Sequence, residues 1–490
     1  MSMSNGAASP RIAILGAGAS GLCTAIQLKR SGFDNFVIYE KTDGVAGTWH
    51  DNTYPGAACD VPSHFYSFSF EPKSDWSRKY SGQPEIKAYF EHCASKYGLY
   101  PRIRFNTELK SARFDEATGQ WRLKTAAGDE EAFDVFINGC GQLNRPYTPE
   151  IPGRDSFQGR TFHSARWDHG YDLAGKRVAV IGNGASAIQF VPKIAPIVAD
   201  MCIFQRSPNW IVPRGDYAYS DFAKRVFGAL PPVQTLYRWF FYWQLEKNFF
   251  AFRPGTRMAK AFEQAARQHL EANIKDPELR RILTPDYPIG CKRILIDDEF
   301  YPALARPNVH VVTAAIDRIA ADGIVTADGT HRPFDAIIYA TGFDTTHFLA
   351  PMEIVGLGGK SLTEAWKEGA EAYLGITMAG FPNLFMLYGP NTNLGHNSII
   401  FMIECQVRYI LKCVQALAGQ HLRYLDVKRA EMERYNATVQ AELARSVWAA
   451  GCDSWYKTES GKVTNNWSNF TVKYWLDTRA PDLSKFVLAH

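Results

Sequence analysis

Three glycines, Gly16, Gly18 and Gly21, follow the apolar run Ile12–Leu15, and the next apolar run, Phe36–Tyr39, ends in Glu40. Such an acid stands about twenty residues past the glycines in dinucleotide-binding units. The first glycine allows a tight turn, the second lets a pyrophosphate approach the backbone, and the third lets helix and strand pack closely. The helix that begins there turns its N-terminus to the pyrophosphate charge. Glu40 suits ribose hydroxyls and repels a 2′-phosphate, so this unit suits FAD or NAD. The pattern recurs at Gly182, Gly184 and Ala187 after residues 178–181 (VAVI), but here the next run, residues 201–204 (MCIF), leads into Gln205-Arg206-Ser207. A cation replaces the acid, and an arginine at this place accommodates a 2′-phosphate, so the second unit suits NADPH. A chain that carries both brings a flavin and NADPH together for hydride transfer.

These motifs need strand–turn–helix units to hold them, so the expected fold class is α/β with two Rossmann-like dinucleotide-binding domains. Residues 133–142 (FDVFINGCGQ) and 334–344 (FDAIIYATGFD) read as buried strands followed by glycine turns. Each is where one domain closes and the chain crosses to the other. The NADPH domain, 155–335, is therefore expected to be inserted in an FAD domain made of 1–150 and 340–490. A helical insertion is expected at about 215–285.

Composition narrows the function classes. The chain has 490 residues, is 46% hydrophobic and carries a net charge of +4 with no basic run, which argues against a nucleic-acid partner. Nine scattered cysteines without CxxC spacing read as reduced thiols of a cytoplasmic protein, not as a disulfide framework, metal cluster or redox dithiol. Residues 1–10 are small and polar, unlike a signal peptide, and are expected to be frayed. Residues 236–252 (LYRWFFYWQLEKNFFAF) are interrupted by Arg238, Glu246 and Lys247 and are too short to span a bilayer. They read as an amphipathic helix on the core or beside a substrate tunnel, with a membrane-surface helix as the alternative.

Between the two units, Phe157, Gly159, His163, Trp167 and Asp168 fit FxGxxxHxxxW(P/D). This resembles the signature of type I Baeyer–Villiger monooxygenases, within the flavin-containing monooxygenase superfamily. Gly47-Thr48-Trp49, Tyr54-Pro55-Gly56, Cys59-Asp60, Gln83-Pro84-Glu85-Ile86, Ile151-Pro152-Gly153, Lys292-Arg293 and Gly389-Pro390-Asn391 follow in the order the resemblance requires. Residues 391–397 (NTNLGHN) are similar to members acting on aryl ketones such as hydroxyacetophenones.

The resemblance implies an NADPH-consuming, FAD-dependent monooxygenase. It inserts one atom of O2 into ketones through a flavin C4a-peroxide, giving esters or lactones, with sulfoxidation as a side activity. It makes Arg293 the catalytic arginine and Asp60 an acid beside it and the flavin. Lys292 and Arg206 become 2′-phosphate contacts, and Trp455 a contact of the nicotinamide ribose. Lys41, Thr48, Trp49 and Tyr66 join the cofactor contacts, as do Ser186, Gln189 and Ser207. His163 and Trp167 are implied to couple the domains from an interdomain linker.

The chemistry itself asks for a permanent cation. Attack of a peroxide on a ketone gives an anionic tetrahedral adduct, and a guanidinium stays protonated at any relevant pH. Blander roles are an ion pair of Arg293 with Asp297, Asp298 or Glu299, a turn or cap for Asp60, a surface salt bridge for Arg206, and a satisfied core histidine for His163. The competing functions are oxygenation of sulfur or nitrogen heteroatoms, a dithiol reductase, which the lack of CxxC disfavours, and a non-catalytic NADPH-binding regulator.

Overall fold

The structure is a computed structural model that describes residues 9–345, 348–449, 454–458 and 460–490. Most of the expected frayed N-terminus, together with Cys452 and Asp453, lies outside the described residues. Ten short strands, most of them apolar, build two five-stranded parallel sheets. They are β1 (Ile12–Leu15), β2 (Phe36–Tyr39), β3 (Ile103–Arg104), β4 (Val135–Asn138), β5 (Arg160–His163), β6 (Arg177–Ile181), β7 (Asp200–Phe204), β8 (Val309–Val312), β9 (Ala336–Tyr339) and β10 (Leu384–Met386). The first sheet has the order β10-β4-β1-β2-β3 and the second β8-β7-β6-β9-β5. All strands of the second sheet thus fall in sequence between β4 and β10 of the first.

Each sheet carries helices on one face and a small antiparallel sheet, residues 109–133 or 316–333, on the other, which is why the inner strands read as continuous apolar runs and not as alternating ones. Helix α1 (Ala19–Arg30) follows β1, and α2 (Ala185–Ile194) follows β6. Ile12, Ile14, Leu22, Ile26, Ile38, Val135 and Ile137 share one core, and Val178, Val180, Ile188, Val191, Met201, Ile203 and Ile338 another. The runs expected to close each domain, β4 and β9, do pair with β1 and β6, but they lie inside their sheets. Strand β10 flanks β4, and β5 flanks β9.

The signature segment is built in differently from a free linker. Residues 160–163 form β5, paired in parallel with β9, so the segment edges the second sheet. Trp167 packs edge-on against Phe162 at 5.1 Å and tilted on Phe190 at 5.2 Å, and Phe190 also meets Tyr54 of the first unit at 6.2 Å. Arg166 pairs with Asp51 at 3.3 Å, so the segment also touches the first unit.

The helical insertion comprises α3 (Asp221–Ala229), α4 (Pro231–Glu246), α5 (Arg257–Asn273) and α6 (Pro277–Leu283). Residues 236–252 run from α4 into a 3-10 turn and are amphipathic, as expected. Phe241, Tyr242, Phe249 and Phe252 are buried, while Leu236, Trp239, Phe240 and Trp243 face outward. No helix among the described residues is long and apolar enough to cross a membrane.

Candidate active site between two nucleotide-binding units

The first glycine turn is shaped by the strand beside it. Gly16 has φ +93°, its N–H donates to the Tyr39 carbonyl at 2.8 Å, and a Cβ would meet the Gly139 carbonyl oxygen at 3.3 Å. A left-handed residue under a neighbouring backbone admits glycine most readily. The second unit repeats this at Gly182, with φ +102°, an N–H donated to Phe204 at 2.9 Å, and a Cβ 2.5 Å from the Ala340 carbonyl oxygen. Gly21 lies in the first turn of α1, where a Cβ would come within 1.8 Å of the Gly16 carbonyl oxygen. Neither Gly18 nor Gly184, which start α1 and α2, supplies a side-chain cap, so the first-turn amides are open to an anion. Both turns therefore fit a pyrophosphate.

Glu40, buried at the end of β2, fastens the glycine turn. One carboxylate oxygen accepts from the Ala17 N–H at 2.8 Å, the other from the Thr42 N–H and hydroxyl at 2.9 Å. The oxygen that accepts from Ala17 keeps a lone pair for a ribose hydroxyl. At the end of β7 the chemistry reverses. Lys292 donates to the Ser207 hydroxyl at 2.6 Å, and its ammonium lies 4.7 Å from the Tyr287 ring. Arg206, exposed beside them, takes part in no ion pair among the described residues. This cluster fits a phosphate monoester.

Arg293, the residue after Lys292, pairs through Nη2 with Asp60 from the first unit. Both side chains remain 35% exposed, so the pair is reachable. Burial alone would raise the Asp60 carboxyl. Arg293, assisted by Arg214, outweighs it and holds Asp60 below the usual carboxylate range. Asp60 in turn raises Arg293 above the ordinary guanidinium value. The three acids of the blander reading are occupied elsewhere. Asp297 accepts from the Glu299 and Phe300 N–H groups, Asp298 from those of Arg214 and Gly215, and Glu299 pairs with Lys193 at 2.5 Å.

The remaining expected contacts divide. Tyr66 accepts from the Trp49 indole at 3.1 Å and lies within electrostatic range of Asp60. Trp455 packs tilted, at 4.3 Å, against Tyr456, which is within range of Arg293. Thr48 is exposed at the start of the short helix Thr48–Asp51, and Lys41 reaches Asn144 at 3.4 Å on the surface. Gln189 and Ser186 turn toward the first unit. Gln189 bonds the Tyr54 hydroxyl at 3.0 Å and donates to the Ala58 carbonyl at 3.0 Å, and Ser186 bonds Tyr54. His163 caps a short turn through Nδ1, and burial takes its pKa down to about 4, so it is neutral.

Three contributors were missed. Arg214 donates to the Cys59 carbonyl at 3.0 Å and is a second cation for Asp60. Tyr388, at φ +55°, donates to Asn393 at 2.6 Å and lies within range of Arg293. Tyr456 is the third, its hydroxyl pushed up by burial to about 12. The readable signal is adjacency alone: Tyr388 directly precedes Gly389-Pro390, and Tyr456 directly follows Trp455. The asparagines of residues 391–397 serve the loop itself. Asn391 donates to the Val463 and Asn466 carbonyls, Asn393 to the Asn466 side chain, and Asn397 to Glu246. The expectation of reduced thiols fails at Cys291, which is disulfide-bonded, whereas Cys23, Cys59, Cys93, Cys140, Cys202, Cys405 and Cys413 are free. It was made from composition alone, and spacing in sequence does not report which thiols the fold brings into bonding distance.

Two glycine turns that fit a pyrophosphate, followed by strand ends of opposite charge and joined by a guanidinium–carboxylate pair, are the features of two-dinucleotide oxidoreductases. Residues 9–355 match the family model of flavin-binding monooxygenase-like proteins. The chain is 47% identical over 480 residues to a Baeyer–Villiger monooxygenase of Pseudomonas aeruginosa, covering 98% of this chain and 91% of that one. It is 45% identical to another from Streptomyces coelicolor, covering 97% and 92%. Among solved structures it resembles steroid monooxygenase bound to NADP, with a TM-score of 0.87 and 29% identity over 99% of this chain and 100% of that one. It also resembles OTEMO in complex with FAD and NADP, with a TM-score of 0.88, 27% identity and the same coverage. The chain belongs to the flavin-binding monooxygenase-like family and, within it, to the Baeyer–Villiger monooxygenases.

Proposed function

We propose that this chain binds FAD at Gly16, Gly18, Gly21 and Glu40 and NADPH at Gly182, Gly184, Arg206, Ser207 and Lys292. With them it converts a ketone, O2, NADPH and a proton into an ester or lactone, NADP+ and water. The observation that carries this reading is the Arg293–Asp60 pair, a permanent and reachable cation held across the two units. When bound, the nicotinamide supplies the hydride and the flavin the activation of oxygen.

The protein's own part is placement and charge. Arg293 meets the negative charge that grows on the ketone oxygen, where a preorganised donor acts most strongly. Asp60 fixes the guanidinium and spares it a search among rotamers. Tyr456, protonated at neutral pH, adds a neutral donor nearby. Sulfides are expected as secondary substrates.

The test is direct. Purified protein is examined for bound FAD, then cyclic, linear and aryl ketones are screened for NADPH consumption with product identification. Ester or lactone formed in step with NADPH supports the reading. A flavin-loaded enzyme that oxidises sulfides and amines but no ketone overturns it in favour of heteroatom oxygenation.

A further inference from the structure

Helix α4 has two faces of different character. Arg238 on its inner side donates to the carbonyls of His64 at 3.0 Å and Ser67 at 2.9 Å. Its last residue, Glu246, is buried and accepts from Asn397 at 2.6 Å, Thr471 at 2.7 Å and the Val472 N–H at 3.1 Å. The helix is therefore fixed at its middle and at its C-terminal end and does not swing away.

The outer face is apolar and open. Leu236 is 70% exposed, Trp243 58%, Phe240 50% and Trp239 48%. Leu236, Phe240 and Trp243 are spaced i, i+4, i+7, a single stripe along the helix. Phe222 on α3 and Phe250 after α4 are likewise exposed. Among the described residues nine of the fifteen exposed large apolar side chains fall between positions 217 and 250. Such a concentration on a water-soluble surface is costly and marks an interaction site.

Charge selects the occupant. Between Phe222 and Phe262, leaving out Arg238 and Glu246 on the inner side, the chain carries six cations, Lys224, Arg225, Lys247, Arg253, Arg257 and Lys260, and no acid. The nearest acids, Asp221 and Glu263, stand just outside this stretch and pair with Lys224 and Arg267. Trp and Phe on one face with Lys and Arg at the margins is the composition of a helix that lies in a membrane interface. We propose that α4 docks this enzyme peripherally on an anionic lipid surface. Trp239, Phe240 and Trp243 enter the headgroup region, and Arg225, Lys247 and Arg257 face the lipid phosphates.

The test uses the full-length, flavin-loaded enzyme and sedimentation with vesicles of phosphatidylcholine containing 30% phosphatidylglycerol. The enzyme should pellet with these vesicles, at least tenfold less with pure phosphatidylcholine, and less as salt rises. The triple variant W239S/F240S/W243S should lose at least tenfold in partitioning while keeping its flavin and its turnover of a water-soluble substrate. Should that variant fold poorly, R225E/K247E provides the second reading and should abolish the preference for anionic vesicles. Failure of the parent enzyme to bind, or binding unchanged in both variants, overturns the proposal. So does a dimer in light scattering that the triple variant dissolves while vesicle binding is absent, since a second copy would then own this face.

Discussion

Lys292 donates to Ser207 at 2.6 Å across 85 residues of sequence, and its neighbour Arg293 turns the other way, to Asp60. Adjacent cations thus serve different partners, one at the end of β7 and one in the first unit. A peptide that presents one charge to each unit ties the Lys292–Ser207 cluster to the placement of the guanidinium.

Arg206 and Lys292 should set the preference for NADPH over NADH. Charge-assisted contacts contribute about 1.5–3 kcal/mol each. Replacing both with alanine should raise KM for NADPH at least tenfold and leave that for NADH nearly unchanged. Steady-state kinetics with both nucleotides measure this, and equal losses would remove these residues from the 2′-phosphate site.

Gly18→Ala and Gly21→Ala should fail differently. At Gly18 a Cβ finds the Gly47 Cα at 3.5 Å, an ordinary contact, so the variant should fold and lose flavin where the pyrophosphate approaches the backbone. At Gly21 a Cβ 1.8 Å from the Gly16 carbonyl oxygen forces α1 from its strand, so soluble yield and thermal midpoint should collapse. Flavin absorbance beside circular dichroism separates the two, and a yellow, fully loaded Gly18→Ala would displace the first unit as the flavin site.

Arg293→Ala should abolish ester formation, while anaerobic reduction by NADPH slows less. Loss of one preorganised stabiliser costs about 10²–10³ in rate. Lysine should rescue poorly, because its point charge does not reproduce the planar fork that Asp60 holds. Stopped-flow reduction, then reoxidation with ketone present, should show hydrogen peroxide released in place of ester. Ester made at the parent rate would leave Arg293 a structural role.

Stability should fall as the medium is acidified from neutrality. Burial, with Arg238 and Lys73 adding to it, takes His64 down to about 4, and burial takes His163 to the same value, each from 6.5. An unfolded chain binds these protons before the native one does, so native stability is full above pH 6.5 and declines toward pH 4. The slope is about 1.4 kcal/mol per pH unit for each histidine. Asp60 acts in the same sense at lower pH: its depressed pKa gives stability that is present above the unfolded carboxylate value and fades only below it. Thermal midpoints from pH 7 to 5 should drop in the parent and flatten in H64Q/H163Q; parallel curves would show that neither imidazole is the titrating group.

What was legible in the sequence follows from range. The strands before both glycine turns, Glu40 and Arg206 at the ends of the next strands, and the helical insertion depend on local pattern, and they lie where expected. Arg214, Tyr388 and Tyr456 join Arg293 only through folding of distant segments, and no spacing announces that. The periodicity of residues 236–252 revealed a two-faced helix, but it could not tell which aromatic rings would find neighbours. Gln189, expected on the nucleotide, shows the same gap, since its amide meets Tyr54, 135 residues away, and Ala58, 131 residues away.

The interleaving of the two sheets has a bearing on synthesis. Strand β4 needs β10 along one edge, yet Leu384 leaves the ribosome 246 residues after Asn138 (384 − 138). At about 5–20 residues per second that interval is roughly 10–50 s. The second sheet, wholly encoded within the gap, can close in the meantime, whereas β4 waits with a bare apolar edge of the kind that recruits stray strands. The unit begun first on the ribosome is the one finished last.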